Sequence, residues 1–213
     1  QLSDRDFGEY LVSNDPLEGK IRGKIREDII ENSLHCGYNE ADKLLTKIGK
    51  IIGDINISML AEEMGITIET AKAQNAMDYI YFGAYEEPGI ITLYEDNIKK
   101  GETLISEYQI SGFQEINLSD IILAHEIFHY IEAKKPDLFV NTFRINLWKL
   151  GPYTHKSLLI CVGEIASMAF VRRLLNLRFC PNILDVLLVY PHDRKLAEEI
   201  YNKIMESDII CSL

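Results

Sequence analysis

A chain of 213 residues with 47% apolar and 26% charged side chains is long enough to bury a substantial core and too hydrophobic to be disordered. Its formal net charge of −11 argues against a nucleic-acid surface, which needs clustered Lys and Arg. No apolar run reaches the roughly 20 residues of a transmembrane helix, so no membrane partner is expected.

The first residues lack the basic-then-apolar layout of a signal peptide. With Gln rather than Met at position 1, a trimmed leader stays open. Cys36, Cys161, Cys180 and Cys211 form no CxxC pair, which fits reduced thiols in a cytoplasmic protein. After a polar opening, Asn14-Asp15-Pro16 reads as a cap and helix start. The expected helix runs from Lys20 to Leu34 with Ile21, Ile25, Ile29 and Ile30 at helical spacing, and His35-Cys36-Gly37 closes it. A second helix is expected from Glu40 to about Ile52, with Leu44, Leu45, Ile48 and Ile51 inward.

Ser58 to Lys72 admits two readings. Ala61 and Gly65 stand at helix-turn-helix offsets, but the would-be recognition helix from Thr67 carries one basic residue, Lys72, against Glu69. The preferred reading is a helix ending at Gly65 and then a strand, because Ile66, Ile68 and Thr70 alternate with Thr67 and Glu69. From Asp78 the pattern turns β-like: Tyr79 to Tyr85, a Glu86-Glu87-Pro88-Gly89 turn, then Ile90 to Tyr94 predict a hairpin. Gly101 to Ile116 reads equally as helix or strand.

Asn117 or Ser119 caps a long apolar helix that ends before Lys135-Pro136. Within it stands His125-Glu126-Ile127-Phe128-His129, an HExxH sequence. Residues four apart share a helix face, so His125 and His129 can offer two imidazole nitrogens to one metal ion. Glu126 lies about 100° around the axis, within reach of a metal-bound water without ligating the ion. The bland alternative is a pair of core histidines with local hydrogen bonds. Yet two buried imidazoles beside a buried carboxylate all need partners, and a metal satisfies the three together.

Asp137 to Lys156 reads as an irregular stretch rich in aromatics, Phe139, Phe143, Trp148 and Tyr153, either walling a cleft or folded over the core. Ser157 then caps an apolar helix from Leu158 to about Leu177 with Glu164 in its middle, a costly place for an unpaired carboxylate. Asn182 begins a short helix through Tyr190, and Pro191-His192-Asp193 starts a last amphipathic one to Met205, with His192 and Asp193 read as capping.

A catalytic zinc takes three protein ligands and leaves a fourth position for water. The metzincin continuation, HExxHxxGxxH, is excluded, because Glu132 and Lys135 stand where its Gly and His belong. Glu132 could orient an imidazole or pair with Lys at the surface. Cys161 could approach the metal but is better read as a packed thiol. Glu164, buried on a separate helix, is the preferred third ligand.

Leu123-Ala-His-Glu-Ile-Phe-His-Tyr-Ile131, followed by Glu164-Ile-Ala-Ser-Met-Ala-Phe-Val-Arg-Arg-Leu-Leu175, resembles the ImmA/IrrE-type metallopeptidases, whose second helix reads E-x-x-A-x-x-F-x-x-x-L-L. Ser167 departs from the pattern's Ala. Leu60-Ala-Glu-Glu-Met-Gly-Ile66 before a hairpin is also similar to that family's approach to its sheet, so the likeness covers about residues 58 to 177. It implies a zinc endopeptidase, often one that cleaves a repressor, with His125, His129 and Glu164 on zinc and Glu126 as the base. An oxyanion donor is still needed. Tyr153 and His155, just before the Glu164 helix, are candidates, although a loop aromatic and a surface His are the commoner explanation.

The expected fold class is therefore α+β: a mostly helical, zincin-like domain with a small mixed or antiparallel sheet and a buried HExxH helix. Residues 1–57 form an N-terminal helical segment, 58–180 the metallopeptidase core, and 181–213 C-terminal helices packed on it, within one structural domain. The expected partner is a protein or peptide substrate. Two other readings stay open: a regulatory binding protein on the same scaffold without turnover, and a DNA-binding regulator through residues 58 to 72.

Overall fold

A computed structural model describes residues 2–49, 55–72, 80–110, 112–113 and 117–211, with side chains described to residue 206. Ile51, Ile52, Asp78, Tyr79, Ile116 and the side chain of Cys211 lie outside these residues. The chain is mostly helical with two small sheets, an α+β architecture. No described helix is long and apolar enough to cross a membrane.

The polar opening is itself a helix, α1 (Asp4–Asn14), which buries Phe7, Tyr10 and Val12. Ser3 and Asp6 form a reciprocal capping box at its start. Asn14-Asp15-Pro16 thus ends a helix rather than beginning one. After a 3-10 turn (Glu18–Lys20), α2 runs unbroken over Lys24–Ile48. The two helices expected here are one, because Gly37 is a packing position and not a stop. A Cβ there would lie 2.0 Å from the carbonyl oxygen of Ala166 on α7 (Ile160–Leu174), so only glycine lets these helices cross so closely.

Next come α3 (Ile57–Glu63) and, past a turn at Gly65, β1 (Thr67–Ala71). Residues 67–71 are therefore extended, and the recognition helix that the helix-turn-helix reading starts at Thr67 is a strand there instead. The hairpin strands are β2 (Gly83–Glu86) and β3 (Ile90–Tyr94), so the first strand begins later than the run from Tyr79 suggested. The sheet order is β1-β3-β2, with β1 parallel to β3 (Thr67 opposite Ile90) and β2 antiparallel to it (Tyr85 opposite Ile91). Among the described residues β2 is therefore an edge strand.

Residues 95–107 are helical, α4 (Glu95–Glu107), with Ile98 and Ile105 buried. The HExxH helix is α5 (Leu118–Lys134), capped by Asn117, whose side chain accepts from Ser119 N at 2.9 Å. The stretch expected to be irregular is instead a short helix, α6 (Phe139–Thr142), and a hairpin of β4 (Ile145–Leu150) and β5 (Tyr153–Ser157). Ser157 closes β5 and does not cap α7. That role falls to a distant residue: Cys161 N donates to Asp15 Oδ2 at 3.0 Å, so the loop after α1 caps the helix that carries Glu164. The chain ends with α8 (Ile183–Val189) and α9 (Arg194–Cys211). Asp193 caps α9 by accepting from Leu196 N, whereas His192 packs edge-on against Phe82.

One continuous hydrophobic cluster joins Ile29 and Ile30 of α2, Ile91 of β3, Phe128 of α5 and Phe170 of α7. The Phe128 and Phe170 rings lie 5.5 Å apart and are fully buried. Burying such a side chain contributes roughly 1.5–3 kcal/mol. That packing fixes α5 against α7 and so sets the distance between the two histidines and Glu164.

Candidate metal centre

Three ligand atoms converge where α5 passes α7. His125 Nε2 and His129 Nε2 are 3.0 Å apart, and the Glu164 carboxylate stands 3.6 Å from the first and 3.8 Å from the second. Bonds of about 2.0–2.2 Å in a tetrahedral zinc site place ligand atoms roughly 3.3 Å from one another. These separations therefore suit a metal ion, and among the described residues no other group of three His, Cys, Asp or Glu does. The donor set, two imidazoles and one carboxylate, is one that suits a divalent metal ion such as zinc or iron. Without a cation, two imidazoles whose nitrogens face each other across 3.0 Å can share only one proton.

The surroundings orient these ligands. His129 Nδ1 lies 2.9 Å from Glu132 Oε2, so Glu132 fixes the tautomer that turns Nε2 toward the site. Of the two fates foreseen for Glu132, pairing with an imidazole is the one observed. Glu126 is 8% exposed and points beneath the edge strand. A Cβ at Gly83 of β2 would stand 2.7 Å from Ile122 Cγ2 and 3.0 Å from Glu126 Oε1. The strand can cross directly over the Glu126 carboxylate only because residue 83 has no side chain.

Burial pushes the His125 pKa well below that of a free imidazole, and His129 beside it acts in the same direction, leaving His125 neutral with a lone pair to donate. Burial acts alike on His129, but its hydrogen bond to Glu132 and the nearby Glu164 charge outweigh it and raise that pKa. Burial lifts Glu126 to about 7; Glu164 adds to the rise, while His129 and the Tyr85 backbone N–H oppose it. Glu164 is likewise raised, chiefly by burial. A dication at the three ligand atoms reverses this field, favouring ionised carboxylates and neutral imidazoles.

Tyr153 and His155 stand on β5, away from the convergence point. His155 stacks on Trp148, with ring centroids 5.2 Å apart and planes 12° apart, and Tyr153 packs on the same indole and is largely exposed. Neither lines the two cavities described beside the histidines. Cys161 is a buried thiol beside Asp15, and Cys36 and Cys180 are likewise buried and free.

Several residues at the site carry no signal in the sequence. Gly83 looks like any strand glycine. Tyr85 of β2 lines the shallow depression over Glu126, His129 and Glu132. Asp185, on the first turn of α8, opens into a cavity beside Glu164; burial lifts its pKa to about 7, with the Glu164 charge adding to the rise. Only its position among Leu184, Val186 and Leu187 could have flagged it, as Glu164 was flagged.

Comparison of the chain with protein-family models, with curated proteins and with solved structures finds no match. The likeness to ImmA/IrrE-type metallopeptidases rests on the motif residues alone.

Proposed function

We propose that this chain is a zinc-dependent endopeptidase of the ImmA/IrrE type, with a zincin-like core, acting on an extended segment of a protein or peptide. The observation that carries the reading is the convergence of His125, His129 and Glu164 from two helices with Glu126 buried beside them. His125 and His129 supply neutral imidazoles, and Glu164 supplies the third ligand and a compensating negative charge. A zinc ion held there would lower the pKa of a coordinated water toward neutrality and polarise a peptide carbonyl.

Glu126 then acts as general base, and its raised pKa near 7 keeps it able both to take a proton from the attacking water and to return it to the leaving amine. The edge of β2 gives an extended substrate a row of backbone groups to pair with, directly above Glu126. Strand addition at this edge lays the peptide across the ligand cluster.

Metal analysis and cleavage assays test the reading. About one zinc per chain is expected, together with cleavage of unfolded protein substrates that falls by about 100-fold or more in Glu126→Gln, the size of a lost general base. Purified chain that takes up no zinc, or undiminished cleavage by Glu126→Gln, overturns it. Zinc uptake with no cleavage of any substrate favours a partner-binding protein without turnover.

A further inference from the structure

Beside the ligand cluster the surface deepens into a cavity of about 240 Å³. Sites for whole drug-sized ligands run to roughly 300–1,000 Å³, so this one is sized for a single side chain. His125, Glu126 and Glu164 are part of its lining, which places the cavity next to the bond that the water activated by Glu126 would attack. Phe82, Ile122, Met168, Leu184 and Leu188 make the rest of the lining largely apolar.

One group interrupts that lining. Asp185 projects into the cavity from α8 and is half-buried. Among the described residues no Lys or Arg pairs with it; its hydrogen-bonding neighbour is the neutral amide of Asn182, and the charged neighbour that acts on it, Glu164, has the same sign. A carboxylate facing an apolar cavity with no counter-charge is costly, and an aliphatic guest would deepen that cost by sealing it from water. A lysine or arginine side chain removes it: the methylene stem lies along the apolar walls while the charged head reaches the carboxylate. An acidic guest is excluded by Asp185 and Glu164 together.

We propose that this cavity is the side-chain subsite adjoining the scissile bond and that it selects a lysine or arginine of the substrate, with Asp185 pairing the cationic head. The assignment rests on the peptidase reading above, and it adds a substrate class to it. The chain's net charge of −11 works in the same direction, drawing basic segments toward the surface.

The probes are acetyl-lysine, acetyl-norleucine and acetyl-glutamate hydroxamates, whose metal-binding end anchors beside the cavity, titrated calorimetrically into zinc-loaded protein. In parallel, a peptide library is digested and the cut sites are read by mass spectrometry. The lysine probe should bind about tenfold or more tightly than norleucine, and glutamate weakest of all, the scale of a desolvated charge pair against an isostere. Lys and Arg should be enriched at one position flanking the cuts. In Asp185→Asn, nearly the same shape, the lysine-to-norleucine ratio should collapse to within about twofold, a change that loss of a merely structural carboxylate would not produce. Cleavage with no such preference, or a preference that survives Asp185→Asn, overturns the subsite and leaves the peptidase reading intact. A lysine preference in binding with no cleavage of any peptide keeps the pairing of Asp185 with a cationic side chain and overturns the peptidase, and with it the place of the cavity beside a scissile bond. Protein that takes up no zinc overturns both.

Discussion

Replacing Gly37 by alanine tests the contact on which the site's geometry depends. In the interior of a helix this change alone raises stability by about 1 kcal/mol, since alanine is the better helix former. Here the new carbon would stand 2.0 Å from the Ala166 carbonyl oxygen and 2.9 Å from the Ala169 Cβ. Non-bonded atoms rest near 3.5 Å, so α2 and α7 must separate by about 1.5 Å at their crossing. The obstacle is backbone, which has no rotamer to change. Overpacking of this kind costs roughly 1–3 kcal/mol or more, and a shift that also disturbs buried Phe170 belongs at the upper end. The expected net loss is about 2 kcal/mol in urea denaturation, equivalent to roughly 4–8 °C in Tm for a chain of this size. Ala166 lies two residues beyond Glu164, so the separation should also weaken zinc binding. Asn32→Ala, exposed on the same helix, is the control and should change stability by no more than about 0.5 kcal/mol. A Gly37→Ala protein as stable as the parent would refute the close crossing and the ligand spacing derived from it.

Glu132→Ala should weaken zinc affinity by about 10- to 100-fold, measured by competition with a chromophoric chelator, because His129 loses the partner that orients its ring; unchanged affinity would remove Glu132 from the site. Asp15→Ala should cost about 1 kcal/mol in chemical denaturation, the usual value of an N-cap, although residue 15 lies far in sequence from the helix it caps. The third expectation concerns acid. Glu40 is buried, and burial alone would raise its pKa, but the hydrogen bonds from Lys135 and Lys43 outweigh it and hold the carboxyl below its ordinary 4.5. A depressed folded-state value means the stabilisation is present above 4.5 and is lost as the pH falls through the lower folded value. Unfolding free energy followed from pH 6 downward should fall more steeply in the parent than in Glu40→Gln, and parallel curves would exclude this ion cluster as a source of acid lability.

Local chemistry made much of the fold readable. The Asn117 cap, the apolar run after it and Lys135-Pro136 bound α5, and the alternation around Ile66 and Ile68 separates β1 from a recognition helix. The failures fall where a residue's local preference was overridden by something distant. Gly37 has the composition of a stop and the role of a contact, because the partner that needs its missing side chain is 129 positions further along the chain. Asp15 has the chemistry of a cap, and it caps α7 rather than the segment that follows it. The β4–β5 hairpin escaped because its strands, Ile145–Leu150 and Tyr153–Ser157, stand off the core with mostly exposed side chains, so no buried face imposed an alternation to read.

The site divides along the same line. Two ligands four residues apart on one helix are a local pattern, and the third is visible because a carboxylate in the middle of an apolar helix demands a partner. Nothing comparable marks Gly83, whose significance is the absence of atoms above Glu126. Nor does sequence proximity identify what lines the site: Tyr153 and His155 precede the Glu164 helix closely but pack on Trp148 of their own hairpin, while Tyr85, separated from His125 by 40 residues, lines the same depression as His129 and Glu126. Under the proposed function, the residues that would decide what reaches the cluster come from β2 and α8, whose Gly83, Tyr85 and Asp185 line the cavities beside it. A change of substrate should come from substitutions there, with the His-His-Glu set untouched.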